Sequence, residues 1–234
     1  MADTDEASRA AAQEAEHAIQ AVDRDVEALQ PLIQAQGYRD EGQQLATFKA
    51  RFAEYRTLDA DILPLAIENT NIKAQRLSFG PAQEAATALR QSLESAQRVP
   101  SKNACCVEAL IAQAMAAILQ VQVIQARHIA ESDEAAMTRM EAEMAASEAA
   151  ARKALDSLKV ALGPGAAPQL AAAVAALDRF AAINTELVTL SRRNSNVRSL
   201  ALSLGKKRAL TAQCDESLQA LEDALAAHHF SATR

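Results

Sequence analysis

The chain has 234 residues, 50% of them hydrophobic and only 3% aromatic, with no Trp, six Gly, six Pro and a formal net charge of −6. So few turn-forming and aromatic residues exclude all-β folds and most α/β enzymes, whose turns and strands require them. The acid excess excludes a generic nucleic-acid binder, which needs a basic face to neutralise phosphates. Much of that acid is local: Asp3, Asp5, Glu6, Glu14, Glu16, Asp23, Asp25 and Glu27 face only Arg9 and Arg24 within residues 1–30, the pattern of a solvated helix face.

The breakers predict four helices in chain order. The first covers residues 3 to about 30 and ends near Pro31 and the segment Ala35-Gln-Gly-Tyr. The second runs from Asp40 to Arg98, where Val99-Pro100-Ser101 ends it and Ser101 offers an N-cap to the next. The third runs from Ser101 to Leu162, and the fourth from Pro168 to His229, across a turn at Gly163-Pro164-Gly165. Pro64 and Gly80-Pro81 should kink the second helix, leaving the fourth straighter. Rods of about 85–90 Å are stable only when packed together. The expected fold is therefore all-α, an elongated antiparallel four-helix bundle made of two tandem helical hairpins. The stretch Cys105 to Ile124 is apolar, but Glu108, Gln113, Gln120 and Gln122 interrupt it, which suits a buried helix better than a membrane span.

An internal repeat organises the chain. Glu68-Asn-Thr-Asn-Ile-Lys-Ala-Gln-Arg-Leu-Ser-Phe-Gly80 aligns at an offset of 125 with Arg193-Asn-Ser-Asn-Val-Arg-Ser-Leu-Ala-Leu-Ser-Leu-Gly205, and Asp5-Glu6-Ala7 with Asp133-Glu134-Ala135 at 128. Residues 1–100 and 101–234 thus read as two copies of one hairpin, together forming one bundle, with the first copy shortened at its N-terminus. That shortening predicts three helices instead of four near residues 80–125 and 205–229, an apolar groove there, and self-association as a homodimer or larger species.

The segment Leu190-Ser-Arg-Arg-Asn-Ser-Asn-Val-Arg-Ser-Leu-Ala-Leu-Ser-Leu-Gly205, followed by a helix ending Phe230-Ser-Ala-Thr-Arg234, resembles the last helix of the four-helix-bundle sensor domains of methyl-accepting chemotaxis receptors. His128-Ile-Ala-Glu-Ser-Asp-Glu-Ala-Ala-Met137 resembles the first helix of that module. The resemblance covers about residues 110–234 and extends more weakly over 1–97. It implies a periplasmic ligand-binding domain that works as a parallel dimer and passes a small helix displacement inward. The membrane helices, adaptor domain and methylated signalling hairpin of that family have no counterpart in this sequence, so the resemblance concerns the sensor portion, joined to a membrane only through flanking helices. No ligand-contact motif of the family matches, and none is carried over.

Several side chains are candidates for chemistry. Asn69 and Asn194 continue the seams Leu58, Ile62, Leu65 and Ile183, Leu187, Leu190; both should lie in one buried polar layer near Met137, fixing register or lining a polar pocket. Arg24, Arg51, Arg56, Arg152 and Arg179 gather in the distal half expected of such a bundle, where Arg could hold a carboxylate ligand bidentately. Met137, Met140 and Met144, with His128 and His17, have the softness for Cu(I) but also the spacing of ordinary core. His228-His229 is a weaker metal hint, read in preference as a solvated helix end. Cys105, Cys106 and Cys214 form neither a disulfide framework nor a metal knuckle; Cys214 continues a packed seam with Leu218, Leu221 and Leu225.

No phosphate loop, catalytic triad, carboxylate pair or specific metal cluster appears. The sequence thus predicts a non-enzymatic sensor domain without a cofactor, binding a small molecule of unspecified class outside the cytoplasmic membrane. The alternatives are a structural or adaptor bundle with a groove for a partner helix, and a periplasmic soft-metal bundle using the Met face.

Overall fold

The computed structural model describes residues 4–231, with side chains described to His228. Phe230-Ser-Ala-Thr-Arg234 and the side chain of His229 therefore lie outside the described side chains. The fold is an all-α helical bundle, and no strand occurs among the described residues. Its helices are α1 (Asp5–Ala35), α2 (Arg39–Glu68), α3 (Thr70–Leu77), α4 (Gln83–Gln97), α5 (Ala104–Ala130), α6 (Glu134–Leu162), α7 (Ala167–Arg193), α8 (Ser195–Leu202) and α9 (Arg208–Ser231). Two π-turns, Ser78–Ala82 and Ser203–Lys207, join α3 to α4 and α8 to α9.

The long rods expected from composition are interrupted in three places. Residue Asn69 separates α2 from α3 and Asn194 separates α7 from α8, each in the left-handed region at φ 51° and 53°. Asn tolerates that conformation better than other residues bearing a Cβ, so the interruption falls on the repeated Asn-x-Asn motif. The expected third helix is instead a hairpin. Glu131 accepts the backbone N–H groups of Ser132 and Asp133 at 2.8 and 2.9 Å, and Asp133 caps α6 by accepting the Ala136 N–H at 2.7 Å. Thr4 caps α1 in the same way through Ala7, so the two copies align cap to cap one residue away from the Asp5/Asp133 match.

Pro31 and Pro64 end no helix, while Pro81 falls at an interruption. α1 passes through Pro31 to Ala35, and α2 passes through Pro64. Pro81 lies inside the first π-turn, whose wider hydrogen-bond spacing absorbs a residue without an N–H. The equivalent turn at Ser203–Lys207 forms without proline, so the last helix is interrupted as well. Ser101 caps no helix; α5 begins after Asn103, and Ser101 Oγ only accepts the Asn103 N–H at 3.1 Å.

Two compact units result, with chain cuts at 69/70 and 194/195. The four-helix unit, residues 70–194, contains α3 with α4, α5, α6 and α7. α5 returns along α6, and α4 packs antiparallel on α7. Its core joins Leu89, Leu93, Ile118, Ile124, Leu155 and Phe180, fully buried side chains that each stabilise the fold by about 1.5–3 kcal/mol. α5 is long and apolar enough by length and composition to cross a membrane, but one side of it, Ala114, Ile118, Val121 and Ile124, is buried in this core. The region 80–125, expected to lack a fourth helix, therefore has one.

The three-helix unit, residues 4–69 and 195–231, contains α1, α2 and α8 with α9. α1 returns on α2 across Gly37, whose φ of 68° suits glycine, and α9 runs antiparallel along α2. Its buried cluster is small: Ile33, Leu45 and Leu221, with Val26, Leu29, Tyr38 and Leu225 against them.

Candidate functional site

In the three-helix unit α1 and α9 both pack on α2, and a cavity of about 430 Å³ opens beside all three. α2 contributes Leu45, Phe48, Phe52 and Tyr55 at heptad spacing. Phe52 stacks on Phe48 at 5.6 Å and on Tyr55 at 5.8 Å between ring centroids. α1 contributes Ile19, Val22, Val26 and Leu29, and α9 contributes Thr211, Cys214 and Leu218. Its two charged lining residues are both acids, Asp25 and Asp215. Burial, reinforced by Asp215, pushes the Cys214 thiol above its usual range, so Cys214 is a neutral wall residue, as its seam position suggested. Cys105 and Cys106 are exposed.

One turn beyond Tyr55, Asp59 is fully buried. Lys207, delivered by the second π-turn, donates to Asp59 Oδ1, while Asp59 Oδ2 has no hydrogen-bond partner. The Lys207 ammonium also lies 5.0 Å from the Tyr55 ring centroid. Burial works against its charge, yet hydrogen bonds to Asp59 and Tyr55 hold its pKa above the ordinary lysine value. Neither Asp59 nor Lys207 carries a sequence signal of its own; they meet because the π-turn rotates Lys207 toward α2.

Asn69 and Asn194 are buried, as predicted, but serve as helix C-caps in different units. Asn69 Nδ2 donates to Ser8 Oγ at 2.8 Å and Asp5 Oδ1 at 3.1 Å, and its Oδ1 accepts from Asn196 at 3.0 Å. Asn194 Nδ2 donates to the Glu131 carbonyl, and its Oδ1 accepts from Asn71, both at 2.7 Å. Each capping Asn thus pairs with the second Asn of the other copy's motif. Asn71 and Asn196 were visible as repeated letters, yet only the packing gives them this role.

The arginines do not converge on one site. Arg56 pairs with Asp23 at 2.9 Å and Arg51 with Glu54 at 3.5 Å in the three-helix unit, where Arg24 is exposed. Arg152 pairs with Asp178 at 2.7 Å and Arg179 with Glu84 at 3.2 Å in the four-helix unit. These are exposed pairs, each worth roughly 0–1 kcal/mol.

Met137, Met140 and Met144 are buried, the latter two within the large core. His128 is fully buried beside them, but both ring nitrogens are engaged: Nδ1 lies 2.8 Å from Ser191 Oγ, and Nε2 lies 3.0 Å from Glu141 Oε1. A carboxylate only accepts, so Nε2 carries the proton there and offers no lone pair to a metal, while Nδ1 is taken up by Ser191. Hydrogen bonds from Arg192, at 2.6 and 3.0 Å, hold the Glu141 carboxyl below its usual range, with His128 adding to the effect. A second buried chain uses all four helical passes of the unit. Ser78 donates to Gln125 at 2.9 Å, Gln125 to Asn184 at 2.9 Å, and Asn184 to Glu148 at 2.7 Å. His228, by contrast, stacks on Tyr38 at 4.0 Å and meets Glu41 at 2.7 Å, and His17 lies apart on α1. Among the described residues no group of three or more His, Cys, Asp or Glu side chains is arranged to hold a metal ion.

Compared with known proteins, the chain matches no family model, no curated protein and no solved structure.

Proposed function

We propose that the chain is the sensor portion of a chemoreceptor-like transmembrane signalling protein, placed outside the cytoplasmic membrane, and that the groove of its three-helix unit is where its ligand is read. The open cavity of about 430 Å³ carries this reading, since it falls within the range of small-molecule sites. Its chemistry narrows the ligand class. An aromatic floor of Phe48, Phe52 and Tyr55 with Asp25 and Asp215 at the wall suits an apolar body bearing a cation, because aromatic faces and carboxylates both attract positive charge. The arginines that would hold a carboxylate are, Arg24 apart, paired with acids. Binding signals only by favouring one of two packings, and the left-handed Asn positions and π-turns are the natural places for a helix to shift.

The test is the melting temperature of the chain against hydrophobic amines, carboxylic acids and soft metals. A ligand at about 100 times its Kd adds about 2.7 kcal/mol, so an amine that binds should raise the transition by several degrees, and the rise should disappear in Phe52→Asp. A response to carboxylic acids alone would move the ligand site to the arginines. A second reading, a helical adaptor that holds a partner helix, is favoured by one observation: residues that are fully buried beneath α5 in the four-helix unit have open equivalents in the three-helix unit.

A further inference from the structure

The internal repeat allows the groove to be compared with a filled version of itself. At the offset of 125, Phe52, Tyr55 and Asp59 on α2 correspond to Leu177, Phe180 and Asn184 on α7, and Cys214 and Leu218 on α9 correspond to Leu89 and Leu93 on α4. In the four-helix unit Leu89, Leu93, Leu177 and Phe180 are each 0% exposed. In the three-helix unit Cys214 is buried at 7%, but Leu218 is 37% exposed, and Phe52 and Tyr55 are half-buried. The difference is α5, whose Ile118, Val121 and Ile124 belong to the same core cluster as those four residues. The three-helix unit has no helix in that position among its described residues.

The polar atoms repeat the comparison independently. Gln125 of α5 donates to Asn184 Oδ1 and accepts from Ser78 Oγ, both at 2.9 Å. The equivalents of those two partners are Asp59 and Ser203. Asp59 Oδ2 is buried with no donor, an arrangement that costs about 1–3 kcal/mol. At the matching position of the repeat, Asn184 takes the Gln125 donor of α5; Asp59 is 0% exposed, so a docking helix reaches this oxygen only by displacing the side chains that cover it.

We infer that the groove between α1 and α9 is a seat for one amphipathic α-helix of α5's chemistry, supplied by a partner. The docking face of that helix is free of charge, built from Ala, Val, Ile and Leu, and carries one amide side chain that donates to Asp59 Oδ2. α5 itself carries no charged residue between Glu108 and Arg127. The inference rests on the groove being the working site and develops its second, helix-holding reading in place of a small cationic ligand.

The chain contains no Trp, so Phe52→Trp places a single reporter on the groove floor, and Leu218→Trp places one on the α9 wall should the first variant fold poorly. The probe is a synthetic peptide with the sequence of residues 104–130, titrated into the 234-residue variant. The expected result is a saturable blue shift of the Trp emission, with affinity reduced about tenfold when the peptide carries Gln125→Leu. No shift with either reporter overturns the helix seat; if a hydrophobic amine still raises the melting temperature, the groove remains a small-molecule site and only the inference fails. A blue shift that appears without peptide, rises with protein concentration and tracks dimer formation puts a second copy in the groove and overturns the separate partner.

Discussion

Asn69 and Asn194 illustrate how one residue type can satisfy two needs. Each ends a helix in a conformation that a side chain branched or extended at Cβ resists, and each uses both ends of its amide on buried partners. An apolar seam residue at these positions would relieve polar burial in a continuous helix, but here it would also be strained. Asn194→Leu is therefore expected to destabilise the chain by about 2–4 kcal/mol, combining left-handed strain with lost buried hydrogen bonds. Asn194→Gly, which keeps the backbone at ease, should lose less; equal losses in urea denaturation would remove the backbone argument. Glu148 provides the pH test. Burial raises its pKa despite the hydrogen bond from Asn184 and the charge of Arg152. The folded state therefore holds this proton more tightly than the unfolded state, and its contribution favours folding at low pH and fades as pH rises through the folded-state value. Glu148→Gln keeps an acceptor for Asn184, so it should stabilise the chain by about 1 kcal/mol at neutral pH and by nothing below the carboxylate range. Glu141 has the opposite sign: its lowered pKa makes its contribution present above the ordinary carboxylate range and lost as acid protonates it.

At the scale of elements, the turn between α5 and α6 is decisive. A continuous helix from 101 to 162 would leave α5 no return path along α6, and the four-helix unit would not close. Three residues, Glu131, Ser132 and Asp133, make that return through side-chain acceptors for backbone N–H groups at the start of α6. Asp133→Ala removes the cap and should destabilise by about 1 kcal/mol, seen as an earlier thermal transition with unchanged helical content. The π-turns act at the same scale. Each adds a residue to its turn and so rotates everything after it, which brings Ser78 to Gln125 and Lys207 to Asp59. Because Ser203–Lys207 makes its π-turn without proline, Pro81 accommodates the first π-turn and does not cause it.

At the scale of the whole chain, the two units differ in how much they bury. The four-helix unit holds one large core and two satisfied polar chains, whereas the three-helix unit has a small cluster and an open apolar groove. Amides of α1 and α9 should therefore exchange with solvent through lower-energy openings than those of α5, α6 and α7. Native-state hydrogen exchange checks this, and equal protection across both sets would mean that the groove is occupied in solution. Occupancy by a helix or a ligand should raise protection in α1 and α9 first.

Composition and periodicity were enough to determine that the chain is helical, and the repeated Asn-x-Asn and Ser-x-Gly letters revealed the duplication, because helix propensity and repeated residues are local properties. The expectation of three helices near residues 80–125 and 205–229 held for 205–229 and failed for 80–125, which belongs to the four-helix unit. Which part keeps only three helices was not legible: the answer depends on whether residues 131–133 bend, and three polar residues inside an Ala-rich helical pattern bend only when α5 gains more by packing on α6 than by continuing. The site was legible to the same extent. Cys214 and Leu218 were read as a packed seam, but the aromatic floor, the Asp59–Lys207 pair and the orphan oxygen arise from residues brought together across 148 positions of sequence. Arg51, Arg56, Arg152 and Arg179 are paired with acids on their own or a neighbouring helix, contacts that the sequence alone did not show. Helix identity belongs to the sequence alone, whereas the choice of which face stays open belongs to the tertiary fold, because only packing decides which apolar surface finds a partner.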